Sequence, residues 1–82
     1  MFKVKNNGKL NICGPKVAQL RKKMIPRTSQ RALSEKLQLQ GIDLDKNAIQ
    51  RIESGKRFVT DIEIKALANL FDVTTDELLN NK

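Results

Sequence analysis

The stretch SQRALSEKLQLQGIDLDKNAIQRIESGKR, residues 29–57, contains two short helical patterns joined by a segment with a glycine. Ser29 is a good N-cap for the first helix, with Thr28 as the competing choice. Asp45 can cap the second helix, and Gly55 supplies its C-terminal stop. The apolar residues on the buried sides of the two helices are Ala32, Leu33, Leu37, Ala48, Ile49 and Ile52.

Three more helices are predicted outside this stretch. Before it, Pro15 fits the first turn of a helix that starts at Gly14, and Pro26 stops that helix. After it, a fourth helix begins at Thr60 or Asp61. A terminal helical turn follows, with Thr74 and Thr75 as its caps. No segment forms a convincing strand pattern. The sequence therefore predicts an all-α domain of five helices.

The N-terminal residues differ from the rest of the chain. Residues 1–12 mix Lys, Asn and Gly with isolated apolar residues and show no sustained period. We therefore expect an N-terminal arm over residues 1–13, extended or partly disordered, followed by one domain over residues 14–82. Short connections and the lack of internal repeats indicate a single core for that domain.

The composition of the 82-residue chain excludes several kinds of chemistry. The chain has no histidine and one cysteine, Cys13, so it offers no Ser-His-Asp or Cys-His pair and no thiolate zinc site. We expect no enzymatic activity, no metal site and no cofactor. Cys13 is expected to be a small, reduced, apolar residue near the start of the first helix.

No segment is expected to cross a membrane. The longest uninterrupted apolar run is three residues, 66–68, whereas a bilayer span needs about 18 to 20. The N-terminal sequence also lacks the continuous apolar stretch of a signal peptide. These features predict a cytoplasmic protein.

Positive charge is concentrated at the front of the chain. Residues 1–42 hold ten Lys and Arg and one acid, whereas residues 43–82 hold six Lys and Arg and eight acids. A basic half of this kind suits a polyanion, because binding phosphates releases condensed counterions. A solvated surface is the alternative interpretation, since a basic excess is common in small soluble domains.

The outer face of the third predicted helix combines amides and cations. Opposite its apolar side lie Lys46, Asn47, Gln50, Arg51 and Ser54, and its acid, Glu53, is at the margin near the core. Asn and Gln can bond adenine bidentately, and Lys or Arg can bond the edge of guanine. The face is thus typical of a helix that reads bases, although short polar arcs also occur on ordinary surface helices.

The order and spacing of four segments resemble a known family. The segments are LRKK at 20–23, SQRALSEKL at 29–37, AIQRIESGKR at 48–57 and IKALANLFDVTTDELL at 64–79. They resemble the helix-turn-helix domain of the phage-repressor and Cro type, often called the Xre family. The resemblance implies a five-helix, lambda-repressor-like bundle, in which the second helix crosses the DNA backbone and the third enters the major groove.

The resemblance also implies roles for individual residues. Base contacts are expected from Lys46, Asn47, Gln50 and Arg51, with a phosphate as the alternative partner of Arg51. Contacts to the DNA backbone are expected from Gln30, Ser54, Lys56 and Arg57. Arg21 and Glu53 match a pair that forms a salt bridge between the first and third helices, and the alternative is two unrelated surface charges.

The chain departs from the family pattern at three places. Residues 40–44 are about two residues longer than the usual turn, and residues 24–28 are similarly extended. If Ile42 or Leu44 packs on the core, the third helix keeps its usual pose; otherwise it tilts. Ser34 replaces the usual alanine, and its hydroxyl is expected to bond the carbonyl four residues back.

These observations predict a sequence-specific regulator of transcription that binds double-stranded DNA and represses by occupying an operator. Two copies are expected on half-sites about 34 Å apart, so a homodimer is expected at least on DNA. The alternative is an antitoxin or adaptor module whose main partner is another protein. The two hypotheses differ in whether binding of the main partner depends on Asn47 and Gln50.

Overall fold

The structure of the chain is a computed structural model that describes residues 8–80. Residues 1–7 of the predicted arm therefore lie outside the described residues. Residues 8–80 form five helices and no strand, which confirms the all-α prediction. The helices are α1 Gly14–Lys22, α2 Gln30–Leu39, α3 Lys46–Ser54, α4 Asp61–Phe71 and α5 Thr75–Leu79. None of the helices in this range is long and apolar enough to cross a bilayer.

Four side-chain caps set the starts of the last four helices. Each cap residue has an extended backbone, and its side-chain oxygen accepts a hydrogen bond from the backbone N–H three residues later. The caps are Ser29, Asp45, Thr60 and Thr74, which accept from Ala32, Ala48, Glu63 and Glu77. The cap of α2 is therefore Ser29 rather than Thr28, and α4 begins after Thr60.

The core is aliphatic and is shared by all five helices. α3 packs against both α1 and α2, while α4 packs against α1, α2 and α5. The fully buried large side chains are Val17, Leu33, Leu37, Leu44, Ile49, Ile52, Leu67 and Leu78. Because Ile49 and Ile52 are both in this set, one side of α3 is sealed in the core.

The lengthened connection between α2 and α3 is fixed to the core by its own side chains. Leu44 is only 1% exposed, and Ile42 packs against the buried cluster. The Ile42 N–H also donates to the carbonyl of Leu37 at 3.0 Å. Of the two alternatives predicted from the sequence, the structure therefore shows the first: Ile42 and Leu44 pack on the core directly before α3.

Ser34 behaves differently from the prediction in one detail. Its hydroxyl donates to the carbonyl of Arg31 at 3.0 Å, three residues back rather than four. A hydroxyl on a helix can reach either carbonyl by rotating about χ1, and the sequence does not choose between them. Ser34 is buried with its hydroxyl satisfied, so α2 carries a polar residue on its packed side.

Residues 8–13 lie against the end of α3. The Leu10 N–H donates to the carbonyl of Gly55 at 2.8 Å. The side-chain amide of Asn11 donates to the carbonyls of Ile52 and Arg57, at 3.1 and 2.8 Å. Its oxygen accepts from the N–H of Gly14 at 2.8 Å. Asn11 therefore joins the last turn of α3 to the first turn of α1.

Candidate nucleic-acid interface

Four side chains of α3 lie together on its exposed side. Lys46, Asn47, Gln50 and Arg51 are all exposed, whereas Ile49 and Ile52 on the opposite side are buried. At 3.6 residues per turn the four occupy one arc, and the buried residues fix the rotation of the helix. The structure therefore brings together all four residues expected to contact bases. Two amides and two cations are therefore exposed to solvent on one side of one helix.

A cleft beside this arc is lined by the N-terminal ends of α2 and α3. Its cationic lining residues include Arg27, Arg31 and Lys46, none of which belongs to an ion pair within residues 8–80. The first turn of α2 contains no acidic residue, and its cap, Ser29, is neutral. The free N–H groups at that end and the helix dipole both favour an anion. The cleft thus matches the charge of a DNA phosphate backbone.

Arg21 and Glu53 join α1 to α3 through two hydrogen bonds. Arg21 Nε lies 2.6 Å from Glu53 Oε2, and its Nη2 lies 3.0 Å from Oε1. The side chains are only 12% and 9% exposed, so the pair is largely shielded from water. The hydrogen bond to Glu53 raises the pKa of Arg21 above its already high ordinary value. Arg21 also donates to the carbonyl of Thr28 at 3.1 Å, which ties the loop before α2 to the same pair.

Gln30, expected at the DNA backbone, lies at the first position of α2 and lines the cleft. Its Nε2 donates to Glu53 Oε1 at 3.0 Å. The position faces the predicted ligand, but the side chain also has a partner inside the protein. The sequence pattern contains no signal for this hydrogen bond, because the two residues are 23 positions apart.

Arg57, also expected at the backbone, is engaged by Glu63. Its Nη1 and Nη2 donate to the two carboxylate oxygens of Glu63 at 2.9 and 3.2 Å, and Nη1 donates to the carbonyl of Phe58. Burial alone would raise the pKa of Glu63, but the hydrogen bonds from Arg57 and from the Thr60 N–H outweigh it and lower the pKa below its ordinary value. Arg57 therefore holds the turn between α3 and α4.

The two remaining predicted backbone residues lie at the C-terminal end of α3. Ser54 is half-buried, and its hydroxyl donates to the carbonyl of Arg51 at 3.2 Å. Lys56 is exposed, and its backbone N–H donates to the same carbonyl at 2.8 Å. Gly55 stands between them in the left-handed conformation, with φ of 77°. This turn presents Lys56 beyond the end of the helix, separate from the cleft at the N-terminal end.

Arg27 and Arg31 are not among the residues that the sequence pattern predicts for the site. The signal that could have found them is their placement on either side of Ser29, the cap of α2. Cations around a helix N-terminus do not stabilise that helix, so their presence there favours an anionic ligand. Adding them extends the candidate backbone contacts to both ends of α3.

Comparison with known proteins agrees with this geometry at the level of the family. The model of a family described as helix-turn-helix matches residues 18–78, which include the second half of α1, the whole of α2, α3 and α4, and all but the last residue of α5. Neither the comparison with curated proteins nor that with solved structures gave a match. The chain therefore belongs to the Xre-like helix-turn-helix family of DNA-binding transcription regulators.

Proposed function

We propose that the protein binds a specific sequence of double-stranded DNA and represses transcription by occupying an operator. The observation that carries this proposal is the exposed arc of α3, where Lys46, Asn47, Gln50 and Arg51 project from a helix whose other side is sealed in the core. An α-helix fits the major groove, and amide and cationic side chains match the donors and acceptors of purine edges there. These four residues are the proposed base contacts.

The proposed contacts to the DNA backbone lie on both sides of this arc. At the N-terminal side they are Gln30, Arg27 and Arg31, and at the C-terminal side Ser54 and Lys56. Contacts of this kind position a recognition helix but carry no sequence information. Arg57 is omitted from the set because Glu63 already holds its guanidinium.

The proposed assembly on DNA is a homodimer on two half-sites. One domain of this size buries little DNA surface, and helix-turn-helix proteins gain affinity by placing two copies about one helical turn apart. The operator should then be an inverted repeat, because two-fold symmetry of the protein is mirrored in the DNA. We also propose that the protein acts by binding alone, without a catalytic step, because the chain has no histidine and only one cysteine.

Selection from random duplex DNA at two salt concentrations tests this proposal directly. The wild-type protein should enrich one sequence, and Asn47→Ala or Gln50→Ala should cost about 1 to 3 kcal/mol and relax preference at particular base pairs. Lys56→Ala should instead weaken binding to all sequences and reduce the salt slope by about one unit.

Matched controls separate these effects from loss of charge or helix content elsewhere. Gln38→Ala, Asn69→Ala and Lys65→Ala make the same chemical changes at exposed helix positions outside the interface. Each control should bind the selected duplex like the wild-type protein. Failure of the wild-type protein to enrich any sequence would refute operator binding.

An antitoxin or adaptor module is the second candidate. The observation that favours it is exposed apolar surface away from the arc, where Phe58 is 53% and Ile62 66% exposed. Phe58 lies in the connection before α4 and Ile62 in its first turn, and exposed apolar side chains suit a protein partner. If that role is the main one, Asn47→Ala and Gln50→Ala will leave partner binding unchanged while Phe58→Ala weakens it.

A further inference from the structure

The amide of Gln30 is held in one orientation by a carboxylate. An ionised carboxylate can only accept hydrogen bonds, so the Nε2 of Gln30, and not its Oε1, must face Glu53. The same oxygen, Glu53 Oε1, accepts from Gln30 Nε2 and from Arg21 Nη2, each at 3.0 Å. One hydrogen of the Gln30 amide nitrogen is used in this bond, and the second hydrogen is available for another acceptor.

The group that holds Gln30 is itself fixed. Glu53 receives two hydrogen bonds from Arg21, and both side chains are mostly shielded from water. These residues lie on α3 and α1, whereas Gln30 lies on α2. The amide is thus attached to a frame built from three helices and is not a freely rotating surface side chain.

Among the described residues, the Gln30 amide makes one hydrogen bond, to Glu53, and no acceptor takes its second hydrogen. Asp45 is the one acid among the described residues that line this cleft, and its Oδ1 accepts from the N–H of Ala48 as the cap of α3. The other charged lining groups are cations, Arg21, Arg27, Arg31 and Lys46. An external anion with hydrogen-bond acceptors is therefore the ligand that suits both the charge and the unused donor.

We infer that Glu53 is a positioning residue for DNA: through its hydrogen bond it directs the remaining Nε2 hydrogen of Gln30 to one backbone phosphate in each half-site. This inference rests on the proposed function and deepens it. Rotamer freedom of Gln30 is lost on folding rather than on binding, which favours the complex. Because Glu53 belongs to α3, the phosphate held at α2 also fixes the register of the helix that reads bases.

Neutralising single phosphates tests the contact. The selected duplex is made as a series in which one phosphate at a time is replaced by an uncharged methylphosphonate, and binding is measured by fluorescence anisotropy. The wild-type protein should lose about tenfold in affinity at one phosphate per half-site, as expected for a hydrogen bond to a charged group. Gln30→Met should bind more weakly and lose its sensitivity at that phosphate alone.

Gln38→Met is the matched control, because it makes the same change at an exposed position of the same helix outside the cleft. It should keep the wild-type pattern over the whole series. Equal sensitivity of Gln30→Met and the wild-type protein at every phosphate would overturn the inference.

The role of Glu53 needs a variant that removes the carboxylate without leaving Arg21 as an unpaired buried charge. The double variant Arg21→Met with Glu53→Met replaces the pair by apolar side chains, a change that folded proteins often tolerate. Circular dichroism checks its helix content. In this double variant, the loss of affinity caused by a methylphosphonate at the phosphate that Gln30 contacts should be several-fold smaller than in the wild-type protein. Adding Gln30→Met to the double variant should then change the affinity little further. Unchanged sensitivity in the double variant would refute the role of Glu53.

A measurement on the wild-type protein makes the test independent of that variant. In the free protein, ¹⁵N relaxation of the Gln30 side-chain amide should show an ordered group, in contrast to the exposed amide of Gln38. A mobile Gln30 amide would refute the inference even if the phosphate contact exists. A protein that binds no duplex refutes the proposed function and this inference together, whereas specific binding with no Gln30-dependent phosphate refutes this inference alone.

Discussion

Polar side chains of this domain differ in where their partners lie. Asn11, Glu53 and Glu63 have partners inside the fold, and no buried side-chain nitrogen or oxygen among the described residues lacks one. In contrast, Asn47 and Gln50 are exposed beside cations on α3, whose opposite side is buried in the core. Because the internal polar groups are satisfied without them, these exposed amides are available to a ligand.

Cys13 gives a prediction about pH. Burial, with a smaller effect of the charge of Glu63, raises the pKa of the thiol from 9.0 to about 11 in the folded protein. The folded state therefore favours the protonated thiol. The resulting stability is present below pH 9 and is lost as the pH rises from 9 towards 11, by roughly 2 to 3 kcal/mol in total.

Urea unfolding at several pH values between 7.5 and 11 measures this loss. Cys13→Ala is the control, since it removes the titrating group while its packing defect does not depend on pH in this range. The difference in the free energy of unfolding between the wild-type protein and this variant should narrow as the pH rises. A constant difference would show that the thiol does not titrate abnormally.

Residue partners were only partly predictable from the sequence. The Arg21–Glu53 pair was expected from the resemblance to a family and is present. The bonds from Gln30 to Glu53 and from Asn11 to α3 were not expected, because nothing local indicates which residue meets which across 23 or 41 positions. Arg57 is a further example of a partner that the sequence does not indicate. Its charge is evident from the sequence, but its salt bridge with Glu63 depends on how α4 packs.

Helix starts were predictable because their signals are local, whereas α1 ends at Lys22, before the Pro26 that was expected to stop it. A cap residue and the N–H that it satisfies are three positions apart, so Ser29, Asp45, Thr60 and Thr74 set the starts of their helices without tertiary information. Gly55 ends α3 because its positive φ suits a residue without a Cβ. The pose of α3 after a lengthened connection was not predictable, since it depends on whether Leu44 reaches the core.

Gly14 provides a prediction about the contact between α1 and α3. A Cβ at this position would clash with the backbone carbonyl of Ile52 and lie 3.1 Å from that of Glu53. Replacing Gly by Ala in a helix normally adds stability of up to about 1 kcal/mol. Here the clash should win, because a carbonyl in the last turn of α3 cannot move without moving the helix. We expect Gly14→Ala to destabilise the protein by about 1 to 3 kcal/mol.

Thermal unfolding of Gly14→Ala and of Gln19→Ala checks this prediction. Gln19 is exposed on the same helix, so its replacement by Ala should change the melting temperature little. Because the clash displaces α3, DNA binding by Gly14→Ala should also weaken below its melting temperature. A variant as stable as the wild-type protein would show that α1 and α3 are not in close backbone contact.

Over the whole molecule, acids and helix N-termini are distributed unevenly. The first turns of α4 and α5 contain the acids Asp61, Glu63, Asp76 and Glu77. Those of α1, α2 and α3 contain none. The positive ends of the α4 and α5 dipoles are thus neutralised within the protein, whereas the end of α2 faces the cleft among cations. Three of the ten cations in residues 1–42, Arg21, Arg27 and Arg31, line this cleft.

The size of the molecule leads to a prediction about how two copies bind. The protein measures 41 × 26 × 19 Å along its principal axes, and half-sites one helical turn apart are separated by about 34 Å. Two copies on the same side of a duplex can touch when their long axes lie along it, and we expect this contact to make binding cooperative. Inserting 5 base pairs between the half-sites turns one copy to the opposite side of the duplex. Inserting 10 base pairs returns it to the same side at a greater distance.

Analytical ultracentrifugation and titration of the three duplexes measure this effect. We expect the 5-base-pair insertion to abolish cooperativity and to weaken binding of the second copy by roughly tenfold, which corresponds to a contact of about 1.4 kcal/mol. A duplex with one half-site is the control, and its affinity should equal that of the first copy on the 5-base-pair duplex. Independent binding to the uninterrupted operator would remove the homodimer from the proposal. Recognition of each half-site would be unaffected, because the base contacts belong to a single α3.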